Sequence, residues 1–184
     1  MKIAILLVGT MLPGFHSIIQ TIRKEFRSSV SMRFLDPPLS RSFKASRNQY
    51  DADTLLHELV GFASPDADYA LFITKEDLYS EPLNFVFGLA HDEAGIVSTA
   101  RLDPRFYGAV KETYRADAAK LFRMRIEKEM IHELGHAFGL GHCQDPLCVM
   151  IFSDSIEDVD KKGARFCERC REIIKSVVGK EQFI

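Results

Sequence analysis

Several features that would point to a membrane-embedded or nucleic-acid-binding protein are missing from this sequence. Its 184 residues contain no apolar run approaching the roughly 18 residues of a membrane span, which excludes an integral membrane protein. Neither sign of charge dominates: 24 Lys and Arg stand against 26 Asp and Glu, so the net charge of −2 offers no attraction to nucleic acid or an anionic membrane. Tryptophan is absent, yet 46% of the residues are apolar, which is typical of a globular protein and predicts a single domain over 1–184.

Cysteine is scarce and unevenly placed. All four cysteines lie between Cys143 and Cys170, whereas disulfides in a secreted protein of this size usually connect distant parts of the chain. The apolar run at residues 3–8 stops at Gly9 and no small-residue cleavage site follows, so we predict a buried β-strand there rather than a signal peptide. Both observations favour a cytoplasmic protein whose cysteines bind a metal.

Strand and helix patterns alternate over the first half of the chain. Two helical patterns lie between three short apolar runs, and this β-α-β-α-β order predicts an α/β fold with a mixed, mostly parallel twisted sheet. Two further runs joined by turn residues predict a hairpin at the sheet edge, and two helices follow. The predicted strands cover 3–8, 30–35, 69–74, 85–90 and 96–98, the predicted helices about 15–27, 55–60, 116–140 and 167–177, and the predicted loop 39–50.

The motif that carries the chemistry is HELGHAFGLGH, at residues 132–142. His132 and His136 are four positions apart on a helix, so their imidazoles project side by side and suit one zinc ion. The glycine three residues after the second histidine lets the chain turn out of the helix, which brings His142 back as a third ligand. Three protein ligands leave a position open for water, so the pattern predicts a catalytic zinc with Glu133 as the general base.

The four cysteines follow this motif at spacings typical of a structural zinc site. Four thiolates complete a tetrahedral zinc, and two disulfides or free thiols are the alternative. Such a zinc would stabilise a loop-rich C-terminal subdomain, 142–184, that is too small for a core of its own, beside an N-terminal α/β subdomain, 1–141. The predicted ligands of this second zinc are Cys143, Cys148, Cys167 and Cys170.

Together these residues resemble a known family of peptidases. The pattern H-E-x-x-H-x-x-G-x-x-H is similar to the metzincins, and Met150 stands where that clan has a methionine in a turn below the metal. With the cysteines added, the run over residues 132–170 resembles the archaemetzincins, and 47–50 and 84–88 resemble them more loosely. The resemblance implies a metzincin-like fold with backing and active-site helices, and a zinc metallopeptidase that cleaves peptide or protein substrates with one catalytic and one structural Zn²⁺.

The resemblance also implies how a substrate lies in the site. An extended peptide would run along an edge strand, predicted at 84–90, while residues 151–153 would form part of the specificity wall. Some metzincins place a tyrosine after the methionine turn, but this sequence has no tyrosine beyond position 114. The oxyanion of the reaction would then be stabilised by the metal alone or by Tyr107, Arg101 or Lys111.

Other functions remain open at this point. One is a metzincin-shaped zinc-binding protein with absent or gated activity, its cleft covered by 36–50 or 99–114. Aminopeptidase and endopeptidase activity both fit the motif. A nucleic-acid-binding zinc knuckle is disfavoured, because residues 150–184 carry seven basic and seven acidic side chains. No residue pattern indicates an oligomeric state.

Overall fold

The computed structural model describes residues 1–12, 14–108 and 115–181. Every predicted strand and helix has a counterpart in it, and three short strands, one short α-helix and one 3-10 helix (Pro104–Tyr107) are additional. The strands are β1 (Lys2–Val8), β2 (Ser29–Leu35), β3 (Phe43–Lys44), β4 (Gln49–Asp51), β5 (Tyr69–Thr74), β6 (Leu78–Tyr79), β7 (Gly88–His91) and β8 (Ala94–Ser98). The helices are α1 (Phe15–Phe26), α2 (Ala52–Val60), α3 (Arg115–Ala137), α4 (Ile156–Lys161) and α5 (Glu168–Glu181).

The main sheet has five strands in the order β2-β1-β5-β8-β7. The first four are parallel to one another, and β7 is antiparallel to β8, so the sheet is mixed and mostly parallel as predicted. The hairpin β7–β8 forms one edge of this sheet. The α/β fold class is thereby confirmed.

The inner strand β1 is buried on both faces because helices cover both sides of the sheet. Alternate side chains of β1 enter two different apolar clusters. Helices α1, α3 and α5 contribute to the cluster on one face, and α2 contributes to the cluster on the other. The β1 residues in the first cluster are Ile3, Ile5 and Leu7, and those in the second are Ala4, Leu6 and Val8.

The C-terminal segment has no sheet of its own in the described residues. Isolated bridges connect Cys143 to Ile151 and Cys148 to Arg165 within the segment, and side chains of α4 and α5 enter the cluster under α3. Helix α4 was not predicted: it is six residues long, and it begins where the Ser155 side chain accepts a hydrogen bond from the Asp158 amide. A helix this short carries too little periodicity to be seen in a sequence.

Two predicted boundaries were wrong. The edge strand begins at Gly88 rather than at residue 84 or 85, since only Val86 of the preceding residues forms a bridge, to Leu78. The predicted loop 39–50 contains β3 and part of β4, which form a small second sheet with β6. Side chains from distant parts of the chain stabilise that sheet; Gln49, for example, donates hydrogen bonds to Asp77 and to the Asn84 carbonyl.

Candidate active site and metal centres

Helix α3 carries the first two histidines of the motif on one buried face. The Nε2 atoms of His132 and His136 lie 3.0 Å apart. The Nδ1 atom of each ring faces a carbonyl oxygen, that of Val149 at 2.8 Å and that of Leu140 at 2.7 Å. Each Nδ1 must donate a proton to that carbonyl, which leaves the Nε2 lone pair free for a metal.

The third histidine reaches the same point because the helix ends where the motif predicts. Gly139 has φ = 85°, a left-handed conformation that favours glycine, and the Leu140 amide donates back to the Gly135 carbonyl. The ring of His142 then lies 4.8 Å from that of His136, measured between centroids. One nitrogen from each of the three histidines falls within 4.8 Å of the others.

This donor set fits a zinc ion. Two imidazoles bound to tetrahedral zinc at 2.0–2.1 Å bring their nitrogens to about 3.3 Å, close to the observed separation of the first two Nε2 atoms. Burial lowers the pKa of His132, His136 and His142, which keeps the rings neutral and able to bind a cation. Two bare Nε2 lone pairs at 3.0 Å repel each other, and a cation between them removes that repulsion.

The four cysteines form a second cluster behind the third histidine. Their sulfur atoms lie within 4.8 Å of one another, and those of Cys143 and Cys167 are 3.8 Å apart. Sulfurs bonded to tetrahedral zinc at 2.3 Å are separated by about 3.8 Å, whereas a disulfide requires about 2.05 Å. All four cysteines are free thiols, so the disulfide alternative is wrong for this structure, and the set fits a closed zinc site.

The cysteine cluster is directly connected to the histidine site. The Cys143 amide donates to the Met150 carbonyl at 2.8 Å, and the Val149 carbonyl that orients His132 lies in the same turn. Met150 is fully buried below α3, where a methyl group on Gly135 would approach its sulfur to 2.4 Å. The methionine therefore forms an apolar floor in tight contact with the helix, as the resemblance implied.

Glu133 lies beside the histidines and below the edge strand. Its side chain is buried, and burial raises the pKa of its carboxyl, with the nearby Glu129 adding to the effect and Lys162 opposing it. A methyl group on Gly88 of β7 would lie 2.5 Å from Glu133 Oε1 and 2.6 Å from its Cγ. The absence of a side chain at Gly88 therefore makes room for the carboxylate.

We expect Gly88→Ala to destabilise the fold by about 1–3 kcal/mol, as overpacked sites usually do. In a Glu133→Ala background the clashing atoms are gone, so the same change should then lower the melting temperature much less. Calorimetry of the four combinations measures this coupling. Gly61→Ala is the matched control, because its new methyl meets nothing closer than 4.0 Å. Equal losses in both backgrounds would disprove the contact.

An open cavity of about 550 Å³ lies over these residues. All of residues 84–90 line it, together with Phe152 and Ser153 from the predicted specificity wall, whereas Ile151 does not. Neither 36–50 nor the described part of 99–114 contributes to its lining, and residues 109–114 lie outside the described residues. The lining residues not predicted from sequence are Ser80, Glu81, Pro82, Leu83, Glu129, Asp154 and Lys162.

Two of the predicted oxyanion donors, Arg101 and Tyr107, do not line this cavity. Arg101 forms a two-bond ion pair with Asp77, at 2.6 and 2.8 Å, and its guanidinium stacks on Phe85. Tyr107 donates its hydroxyl to the Arg101 carbonyl at 2.9 Å. Neither residue lines the cavity, and Lys111 lies outside the described residues.

No helix among the described residues has the length and apolar character needed to cross a bilayer.

Comparison with known proteins identifies the family. Residues 12–176 match the model of peptidase family M54. The archaemetzincin of Methanopyrus kandleri is 37% identical over 182 residues, 95% of this chain and 96% of that protein, and the archaemetzincin of Saccharolobus solfataricus is 41% identical over 140 residues, 76% and 73%. The crystal structure of the M. kandleri protein superposes with a TM-score of 0.79 at 35% identity over 97% of this chain and 96% of that one. The crystal structure of a zinc-dependent peptidase from Methanocorpusculum labreanum superposes with a TM-score of 0.81 at 31% identity, over 94% of this chain and 99% of that one. The resemblance seen in the motif is thus confirmed, and the chain belongs to the archaemetzincins, peptidase family M54, which are zinc-dependent metallopeptidases.

Proposed function

We propose that this peptidase holds its catalytic zinc on His132, His136 and His142 and uses Glu133 as the general base. The observation that carries the proposal is the convergence of three imidazole nitrogens beside a buried carboxylate, at the base of an open cavity. A second, structural zinc on Cys143, Cys148, Cys167 and Cys170 is part of the same proposal, which makes two zinc ions per chain.

Each protein group has a distinct task in peptide hydrolysis. When bound, zinc would act as a Lewis acid that polarises the scissile carbonyl and acidifies the attacking water. The carbonyls of Val149 and Leu140 hold the imidazoles in the tautomer that binds the metal. Glu133 accepts the proton of the attacking water and then delivers it to the leaving amine, and its burial keeps bulk water away from that transfer.

The substrate is a peptide or a protein segment that binds in extended form. Strand β7 pairs only with β8 in the described sheet, so its other edge is available for main-chain hydrogen bonds. Phe87, Leu89 and Phe152 line the cavity and provide apolar surface for substrate side chains. We place the protein in the cytoplasm, where a reducing environment keeps the cysteines as metal-binding thiolates.

The first test is cleavage of a diverse peptide library in the presence and absence of zinc. We expect products from the zinc-loaded protein, none after treatment with a chelator, and recovery when zinc is restored. Mass spectrometry of the products locates each cut, which separates aminopeptidase from endopeptidase activity.

Because a chelator also removes zinc from the cysteines, His136→Ala is the matched control. This variant should keep one zinc per chain, remain folded and cleave nothing. A wild type that holds two zinc ions and yields no products would instead support the alternative of a zinc-binding protein with absent or gated activity.

A further inference from the structure

A buried ion pair that the proposed mechanism does not use lies in the wall of the active-site cavity. Lys162 Nζ is 2.8 Å from Glu129 Oε1, and the two side chains are 1% and 3% exposed. Within the described part of the chain, neither of these atoms has a hydrogen bond of good geometry. An ammonium group has three N–H donors, so Lys162 has donors left for a ligand in the cavity.

Two further charged side chains of α3 contact residues that closely precede Lys162 in the chain. Arg125 forms paired hydrogen bonds with Asp160 at 2.7 and 2.6 Å. Lys128 donates to the carbonyls of Val159 and Asp160 at 2.8 and 2.9 Å. These bonds join the end of α4 to the active-site helix, one to two helical turns before Glu133. Arg125, Lys128, Glu129 and Lys162 are all buried. Removing four charged groups from water is expensive, and the need for a precisely positioned ammonium would explain that cost.

Lys162 is also the one Lys or Arg among the described residues that line the cavity. It lines the same cavity as the three histidines and Glu133. The ammonium therefore borders the space where the substrate carbonyl must lie. Neither Arg101 nor Tyr107 reaches that region, as their hydrogen bonds show.

We propose that Lys162 is the oxyanion donor of the peptidase, giving a hydrogen bond to the scissile carbonyl oxygen as it gains negative charge, while Glu129 holds the ammonium in position. This inference rests on the proposed function. The hydrogen bond from Lys162 to the carbonyl oxygen would be stronger in the transition state than in the bound substrate. Only interactions of that kind raise kcat. Lys162 lies in the segment after the methionine turn. Some metzincins place a tyrosine in that segment, but this sequence has none there.

The test compares Lys162→Met with Lys128→Met. Both variants remove a buried ammonium from the same α3–α4 contact, but the Lys128 ammonium is satisfied by two carbonyls outside the cavity. We expect Lys162→Met to lower kcat about 10²-fold or more with little change in KM, since one oxyanion donor is worth about 10²–10³ in rate. Lys128→Met should retain most of its kcat, and both should keep their zinc.

In these kinetic measurements the inference would be overturned by equal kcat losses in both lysine variants, or by a rise in KM with kcat unchanged. If Lys162→Met does not fold, the double variant Glu129→Gln/Lys162→Met is used in its place, because it removes both charges of the ion pair together. Lys162→Arg should recover part of the rate because it restores a donor.

A binding measurement separates this inference from the proposed function. A phosphinic peptide carries a tetrahedral anion, and calorimetry should show that zinc-loaded Lys162→Met binds it about 10²-fold more weakly than wild type does. The matching amide peptide should bind equally well to Glu133→Ala with and without Lys162→Met. If wild type cleaves nothing but shows this difference, the proposed function fails while the contact of Lys162 with a tetrahedral anion is supported. Equal affinity of the wild type and Lys162→Met for the phosphinic peptide overturns the inference alone.

Discussion

Replacing Glu133 by glutamine is expected to lower kcat by about 10²- to 10⁴-fold, the range that general acid–base catalysis supplies. The amide has the size of the carboxylate and fits below Gly88, but it cannot accept a proton. The histidines are untouched, so zinc content should equal that of wild type. Steady-state kinetics on one peptide from the library, with zinc measured by mass spectrometry, checks both statements.

The control for this variant is Glu127→Gln, on the same helix. Glu127 pairs with Arg165 at 2.8 Å and does not line the cavity. It should therefore keep its kcat. A Glu133→Gln variant as active as Glu127→Gln would remove Glu133 from the mechanism, while a variant that also lost zinc would show that the carboxylate helps to build the metal site.

Replacing Cys170 by serine is expected to release the structural zinc and to lower the melting temperature by about 10 °C or more, since zinc binding is coupled to folding. The Cys170 sulfur is buried among the other three cysteines, and a hydroxyl is a poor zinc ligand. Activity should fall as well, because Cys143 directly follows His142 and its amide holds Met150. Zinc stoichiometry, calorimetry and peptide cleavage report the three effects.

The matched control for this experiment is Ser176→Ala, also on α5. Ser176 is exposed and its hydroxyl bonds only within the helix, to the Ile173 carbonyl. Its removal should leave zinc content and melting temperature near those of wild type. Two zinc ions in Cys170→Ser would rule out the four-cysteine site. One zinc with full activity would show that the histidine site does not depend on the structural zinc.

The residues of the candidate site could be predicted from sequence because their geometry is local. Four positions on a helix place His132 and His136 side by side whatever surrounds them, and the glycine at 139 allows the turn that brings His142 back. The same holds for the cysteines, which lie within 28 residues of chain around one turn. Buried apolar runs long enough to show a period likewise predicted the main strands and helices.

The parts that were missed depend on contacts between distant segments. The edge strand starts at Gly88 because of its pairing with β8 and its contact with Glu133. Neither contact can be predicted from the apolar run that begins at residue 85. Strand β4 donates hydrogen bonds to residues 77 and 84, and β3 pairs with β4. Nothing in the sequence around Lys162 distinguishes it from the other basic residues of the C-terminal segment.

The sequence by itself therefore determined the family, the α/β class and the set of candidate metal ligands, since each follows from patterns that are local in the chain. Only the tertiary structure decided what surrounds them: the glycine that makes room for Glu133, the aromatic wall of the cavity, and the ion pair of Glu129 with Lys162. Those contacts join residues that are up to 45 positions apart, as Gly88 and Glu133 are. Their formation depends on how helices and strands pack, which no local pattern encodes.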